Sequence, residues 1–180
     1  MSNLVYFLIA VLIMFVYMII DGISHQKFKK TINLWFHILG ISILVISFAI
    51  LTIIEFRFSV LIYPGILIII IGFILIYLSY IDIKKDFLRA KKVTRTGIYT
   101  KVRHPMYLGL ILLYIGISLF SSSLLVSLYS LIAILFIIWQ AVNEEKHLIK
   151  RFGKEYLNYK KKVPMLVPIK FKELRPHRKV

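Results

Sequence analysis

The chain contains no cysteine among its 180 residues. That excludes disulfides, thiolate metal sites and a cysteine nucleophile. Acidic side chains are scarce as well, eight against twenty-four Lys and Arg, for a formal charge of +16. No HExxH or comparable ligand spacing occurs, so a metal site is not expected. The opening "MSN" has no positive side chain, and no small-residue cleavage site follows the first apolar run, so that run does not read as a secretory signal. Internal repeats and low-complexity linkers are missing too.

What is present in excess is apolar surface. Hydrophobic residues make up 59% of the chain, and the mean hydropathy is +0.83. A soluble domain of this size has no use for that much. Apolar runs lie at about 4–20, 32–54, 59–81, 106–120 and 124–142. Four approach the ~20 residues needed to cross hydrocarbon. The fourth is shorter and predicts a tilted or locally thinned span, or half of a tight hairpin with the fifth, closed at Ser121, Ser122 and Ser123. The expected fold is all-α: a polytopic membrane protein with five transmembrane helices, a short C-terminal helical hairpin and an amphipathic cytoplasmic tail. It reads as one domain, with a three-helix scaffold over 1–83, a core over 84–168 and a basic tail over 169–180.

Charge sets the orientation. Twenty-three of the twenty-four basic residues fall on one side of the five runs, Arg57 being the exception. The positive-inside rule then places the N-terminus outside and the C-terminus in the cytoplasm. The net charge belongs with anionic lipid rather than with nucleic acid.

The first three runs hold little chemistry. His37 reads as a hydrogen-bonding residue of the bundle, and Pro64 fits a first helical turn. Two polar clusters follow, both on the predicted cytoplasmic face. In "TGIYTKVRHPMYLG", Gly97 can relax the backbone, and Pro105 suits a helix start. Arg103 and His104 would then stand beside free N–H groups at the positive end of a helix, which attracts anions. Tyr99 and Tyr107 add hydroxyls and flat faces at the boundary. In "QAVNEEKHLIKRFGKEYLNYKKKVP", run five continues as helix beyond the membrane. Leu148, Phe152, Tyr156 and Tyr159 form an apolar stripe. Gln140, Glu144 and His147 share another face. Glu144 and Glu145 are an adjacent acidic pair suited to ribose hydroxyls or an ammonium group. Each cluster by itself also fits ordinary interfacial anchoring or charge balance. Folding the hairpin back brings them to one membrane face, where a zwitterionic cofactor with an amino-acid end would fit.

"GIYTKVRHPMYLG" followed by "EEKHLIKRFGKEYLNYKKKVP" resembles the C-terminal half of the isoprenylcysteine carboxyl methyltransferases and the wider phospholipid methyltransferase group, over about 91–168. The resemblance implies an S-adenosylmethionine pocket at the cytoplasmic boundary. It places cofactor contacts on Lys91, Lys92, Val93, Thr94, Tyr99, His104, Pro105, Met106, Tyr107 and Glu144. Arg103, His104 and Glu145 would carry catalysis. Gln140 stands where the prenylcysteine enzymes hold an arginine available to the substrate carboxylate, and so becomes the substrate-binding candidate. The implied reaction is an in-line methyl transfer to a lipidic or prenylated substrate entering from the bilayer. A phospholipid amine acceptor, an NADPH-binding sterol reductase and a non-enzymatic protein with a lipid-binding basic tail are the alternatives. The acceptor and the oligomeric state are left open.

Overall fold

The computed structural model describes residues 3–27, 45–89 and 95–167. Among them every regular element is helical. They are α1 (Asn3–Lys27), α2 (Val45–Glu55), α3 (Ile62–Arg89), a 3-10 turn (Gly97–Thr100), α4 (Pro105–Ser121), α5 (Leu124–Phe152) and α6 (Lys154–Lys162). The first part of the second apolar run, with His37, lies outside the described residues, as do Lys91, Lys92, Val93 and Thr94.

Two stretches, Ile62–Lys84 of α3 and the whole of α5, are long and apolar enough to cross a membrane. Among the described residues α1, α2 and α4 hold shorter apolar stretches. For α3 the burial is informative, because only 11% of its apolar window is covered by protein. Leu67, Phe73 and Tyr77 are each at least 60% exposed. Water would not tolerate such a helix, whereas lipid tails would. Exposed Tyr63 and Tyr80 lie about 26 Å apart along the axis, a separation that suits the two interfacial belts.

Local chemistry sets the helix ends. Pro64 falls in the first turn of α3 and Pro105 opens α4; at both places a missing N–H leaves no carbonyl unpaired. At the end of α4, Ser121 Oγ donates to the Ser118 carbonyl at 3.2 Å and Ser122 Oγ to that of Leu119 at 3.1 Å. The Ser118 carbonyl also accepts the Ser122 N–H at 3.1 Å, so the hydroxyls supplement the backbone where helix carbonyls run out of partners. Ser122 takes φ +52° to turn the corner. The serine triplet thus forms the tight turn that its composition predicts.

One expectation needs correction. The stripe of Leu148, Phe152, Tyr156 and Tyr159 does not lie on one continuous helix. α5 stops at Phe152, Gly153 adopts φ +53°, and α6 begins at Lys154. Gly153 breaks the helix with φ +53° and ψ −128°, a conformation that glycine adopts readily because it has no Cβ. The same side chains still gather: Tyr156, Tyr159 and Val163 are buried, with Leu148, Ile149 and Phe152 packed against them.

The chain packs as two units, residues 1–69 with 113–135 and residues 70–112 with 136–180. In the first, a Cβ on Gly65 would lie 2.8 Å from the Gly116 carbonyl oxygen, and one on Gly116 would lie 2.9 Å from that of Gly65. The backbones of α3 and α4 therefore touch. Phe48 packs on Tyr114 and Tyr129, with ring centroids 4.8 and 5.0 Å away. Buried Glu55 accepts a hydrogen bond from Ser123 Oγ at 3.0 Å. The second unit repeats the glycine device, since a Cβ on Gly109 would meet the Gly72 carbonyl at 2.8 Å. Small residues that let backbones approach are a main source of helix association in lipid.

Gly109→Leu should therefore destabilise the protein by about 1–3 kcal/mol, the usual cost of overpacking. Gly153→Asn should also destabilise it, by about 1–3 kcal/mol, because φ +53° with ψ −128° is a conformation that glycine alone adopts without strain, even though nothing lies within 4 Å of a Cβ there. Thermal unfolding in detergent, followed by circular dichroism, measures both.

Candidate active site

The second unit assembles the two polar clusters. Asp82 of α3 anchors the approach: its Oδ2 accepts the Ile98 N–H at 2.8 Å. Gly97, at φ +53°, has room for no side chain, because a Cβ would fall 1.9 Å from the same oxygen. The 3-10 turn then delivers Val102, Arg103 and His104 into the interior. The Arg103 and His104 N–H groups donate to the carbonyls of Pro164 (2.9 Å) and Met165 (3.0 Å). The segment after α6 is thereby strapped across the start of α4. The Arg103 and His104 N–H groups are therefore themselves taken by the strap.

Arg103 and Glu145 meet 42 positions apart, with side chains 7% and 5% exposed. Arg103 Nε donates to Glu145 Oε1 at 2.7 Å, and a terminal guanidinium nitrogen reaches the same oxygen at 2.6 Å. The other terminal nitrogen donates to the Lys160 carbonyl at 3.0 Å and to the Val163 carbonyl. Lys160 Nζ closes on Glu145 Oε2 at 2.6 Å. All three guanidinium nitrogens and both carboxylate oxygens are thus engaged. Such full engagement is what makes a buried ion pair tolerable.

His104 is also buried. Its Nε2 lies 3.4 Å from Glu145 Oε1 without forming a hydrogen bond, and its Nδ1 lies 3.8 Å from Glu144 Oε2. Its ring stands 5.5 Å from that of Tyr107. The helical repeat explains why adjacent glutamates differ. Glu145 follows buried Ala141 by one turn and points inward, while Glu144 is turned to the rim, its side chain 46% exposed. Gln140 is half-buried one turn before Glu144, and His147 is exposed.

Three tyrosines line the same unit. Tyr159 donates to the Tyr99 carbonyl at 2.7 Å, and the Arg95 guanidinium lies 5.7 Å from the Tyr159 ring centroid. Burial pushes the Tyr159 phenol up to about 12. Burial first, and then the Glu144 carboxylate, raises Tyr99; burial and then Glu145 raise Tyr156. All three stay neutral donors at physiological pH. The Tyr156 hydroxyl is buried without a hydrogen-bond partner.

The structure brings Arg103, His104, Glu144 and Glu145 together, with Pro105, Met106 and Tyr107 opening α4 beside them. Sequence reasoning missed Asp82, Lys160 and the Pro164–Met165 carbonyls. A lysine in "KKK" and a lone aspartate carry no local sign of a partner, and a carbonyl carries none at all. The buried tyrosines were visible in the i, i+3 spacing of Tyr156 and Tyr159.

An apolar, lipid-exposed helical chain that joins a buried RHP motif to a Glu-Glu pair has the makeup of a membrane-embedded protein with a polar site at the boundary. The phospholipid methyltransferase family matches residues 60–155. That is more than half of the chain, and the chain belongs to this family. The match begins well before residue 91, where the sequence resemblance starts, and so takes in α3. Among curated proteins, 81 residues are 38% identical to the protein-S-isoprenylcysteine O-methyltransferase of Saccharomyces cerevisiae, covering 42% of this chain and 32% of that protein. A methanethiol S-methyltransferase of Bradyrhizobium diazoefficiens is 37% identical over 71 residues, 39% of this chain and 24% of the relative. Protein-S-isoprenylcysteine O-methyltransferase B of Arabidopsis thaliana is 30% identical over 117 residues, 58% of this chain and 57% of the relative. The matched stretches thus span between about a quarter and somewhat over half of these relatives. No solved structure matches.

Glu145→Ala leaves the Arg103 charge buried without its counter-ion and should cost about 3–5 kcal/mol, as broken buried pairs do. The double variant Arg103→Met/Glu145→Met should be more stable than Glu145→Ala alone. Lys160, 42% exposed, is screened by water, and Lys160→Met should cost less. Denaturant unfolding separates the three. The tyrosines add an alkaline limit. An unfolded phenol ionises near 10.0 and folded Tyr159 near about 12. The stability from keeping Tyr159 neutral is complete below the first value and is lost as pH rises through the second. Tyr159→Phe should flatten that alkaline decline in an unfolding titration.

Proposed function

We propose that the protein is a methyltransferase that uses S-adenosylmethionine to methylate a lipidic substrate at the cytoplasmic boundary of the membrane. In this reading five helices span the bilayer, with the N-terminus outside and the site on the inner face. The observation that carries the proposal is the meeting of the RHP segment with the Glu144–Glu145 pair in one unit, within the stretch matched by the family.

The donor groups present fit that cofactor. Glu144 is a half-exposed carboxylate at the rim, able to hold ribose hydroxyls or an ammonium group. The start of the 17-residue α4 offers the positive end of a helix to a carboxylate. When bound, S-adenosylmethionine supplies an electrophilic methyl group on a sulfonium. Pro105, Met106 and Tyr107 would adjoin the cofactor, and Tyr99 stays a neutral donor. Lys91, Lys92, Val93 and Thr94 complete the cofactor set as the resemblance assigns them. Arg103 and Glu145 are positioning residues, since their charged atoms are spent on each other, on Lys160 and on carbonyls. They fix His104 and hold Glu144 at the rim.

A carboxylate acceptor is already ionised and needs no base, so alignment and exclusion of water would carry the rate. Gln140 would orient it by hydrogen bonding. A thiol acceptor is the second reading, favoured by the relatives named methanethiol S-methyltransferase. A thiol or amine must lose a proton, and His104, His147 and Glu145 are the candidate acceptors.

Incubating the reconstituted protein with methyl-labelled S-adenosylmethionine and a panel of prenylcysteine, phospholipid and small thiols should label one acceptor class. Label in none would refute the activity. Glu144→Ala should weaken S-adenosylmethionine binding by about 1–3 kcal/mol, the cost of a lost charge-assisted hydrogen bond, as read by calorimetry. Unchanged affinity would remove Glu144 from the site.

A further inference from the structure

The outer face of α6 takes no part in the site. Seen down the axis, Tyr156, Tyr159 and the following Val163 are buried on one side. The opposite side carries Lys154 and Lys161, seven residues and two turns apart, so they lie one above the other, with Leu157 between them. All three are exposed, Leu157 at 41%. Lys162 lies on the flank, and Lys146, Lys150 and Arg151 at the end of α5 add further exposed cations. The exposed acids among the described residues 144–162 are Glu144 and Glu155, and Glu155 is paired with Arg95 at 2.8 Å. The face is therefore an uncompensated row of cations around an apolar side chain.

Its position in the unit indicates what covers it. α6 turns back at Gly153, and its C-terminal end meets the chain where α4 enters its apolar run. Val163 and Lys160 hold Arg103, and the Pro164 and Met165 carbonyls take the N–H groups of Arg103 and His104. Val167, just beyond, is 55% exposed. One end of α6 is thus fixed at the level where the apolar helix α4 begins. Lysines flanking an exposed leucine, on a helix held at that level, match the pattern of a helix lying in the headgroup region.

We infer that the Lys154–Leu157–Lys161 face of α6 docks on anionic lipid headgroups, with the lysines on phosphates and Leu157 at the acyl boundary. Docking is tied to the interior, because the same helix presents Lys160 Nζ to Glu145 and the Lys160 carbonyl to Arg103. A negatively charged leaflet would thus hold in place the helix that completes the buried pair. The inference needs no methyl donor and stands apart from the proposed activity.

The absence of native cysteine makes a clean test possible. Full-length Leu157→Cys, labelled with an environment-sensitive fluorophore, is reconstituted in vesicles of phosphatidylcholine alone and of phosphatidylcholine with phosphatidylglycerol. Emission should move to shorter wavelength in the anionic vesicles, and quenching by nitroxide-labelled lipid should rise. High salt should reverse both effects, as expected for screened charges. Adding Lys154→Glu and Lys161→Glu should abolish the shift while leaving the thermal midpoint unchanged. Identical emission in the two vesicle types, or a shift that survives the charge reversals, would overturn the inference; the first outcome would leave the face to water or an acidic protein.

Discussion

The buried pair of Arg103 and Glu145 is the constraint on which the polar half of this protein depends. Removing two charges from water costs several kcal/mol per ion, so the pair persists only where every hydrogen-bonding position is filled. Filling them takes a carboxylate from α5, a guanidinium from the loop before α4, an ammonium from α6 and two carbonyls from the end of α6 and the residue after it. The loop before α4 is therefore fixed to α5 and α6, 42 to 60 positions on, by one electrostatic requirement. Buried His104 and Glu144 at the rim both lie beside this pair.

The apolar half obeys different physics. Lipid tails are as apolar as leucine, so burying leucine between helices gains little there. Close backbone approach and polar contacts take over. Gly65 against Gly116, and Gly72 against Gly109, bring α3 and α4 within van der Waals contact of each other's carbonyls. At the hairpin turn, Glu55 is held by Ser123, and the Arg57 N–H donates to the Ser121 carbonyl at 2.9 Å. A helix such as α3 can then leave most of its surface to lipid and still be fixed in register.

The relatives named protein-S-isoprenylcysteine O-methyltransferase and methanethiol S-methyltransferase differ in the atom that receives the methyl group, an oxygen in one and a sulfur in the other. In the proposed reading the RHP segment and the Glu-Glu pair would hold the methyl donor. In that reading the acceptor is a separate question, one that would turn on Gln140 and its surroundings.

Hydropathy along the chain, with its helical runs, the serine turn, the start of α4 at Pro105 and the two polar clusters, was determined by the sequence alone, because each of these is written in neighbouring residues. Tertiary structure decided what depends on partners 16 to 61 positions away. It selected Glu145 rather than Glu144 for burial, broke the aromatic stripe at Gly153, recruited Asp82 to pin Gly97 and Ile98, and laid the Pro164 and Met165 carbonyls over Arg103 and His104. A charge or a carbonyl carries no local sign of the partner it will meet. Only the three-dimensional cost of leaving it unpaired in a dry interior selects that partner.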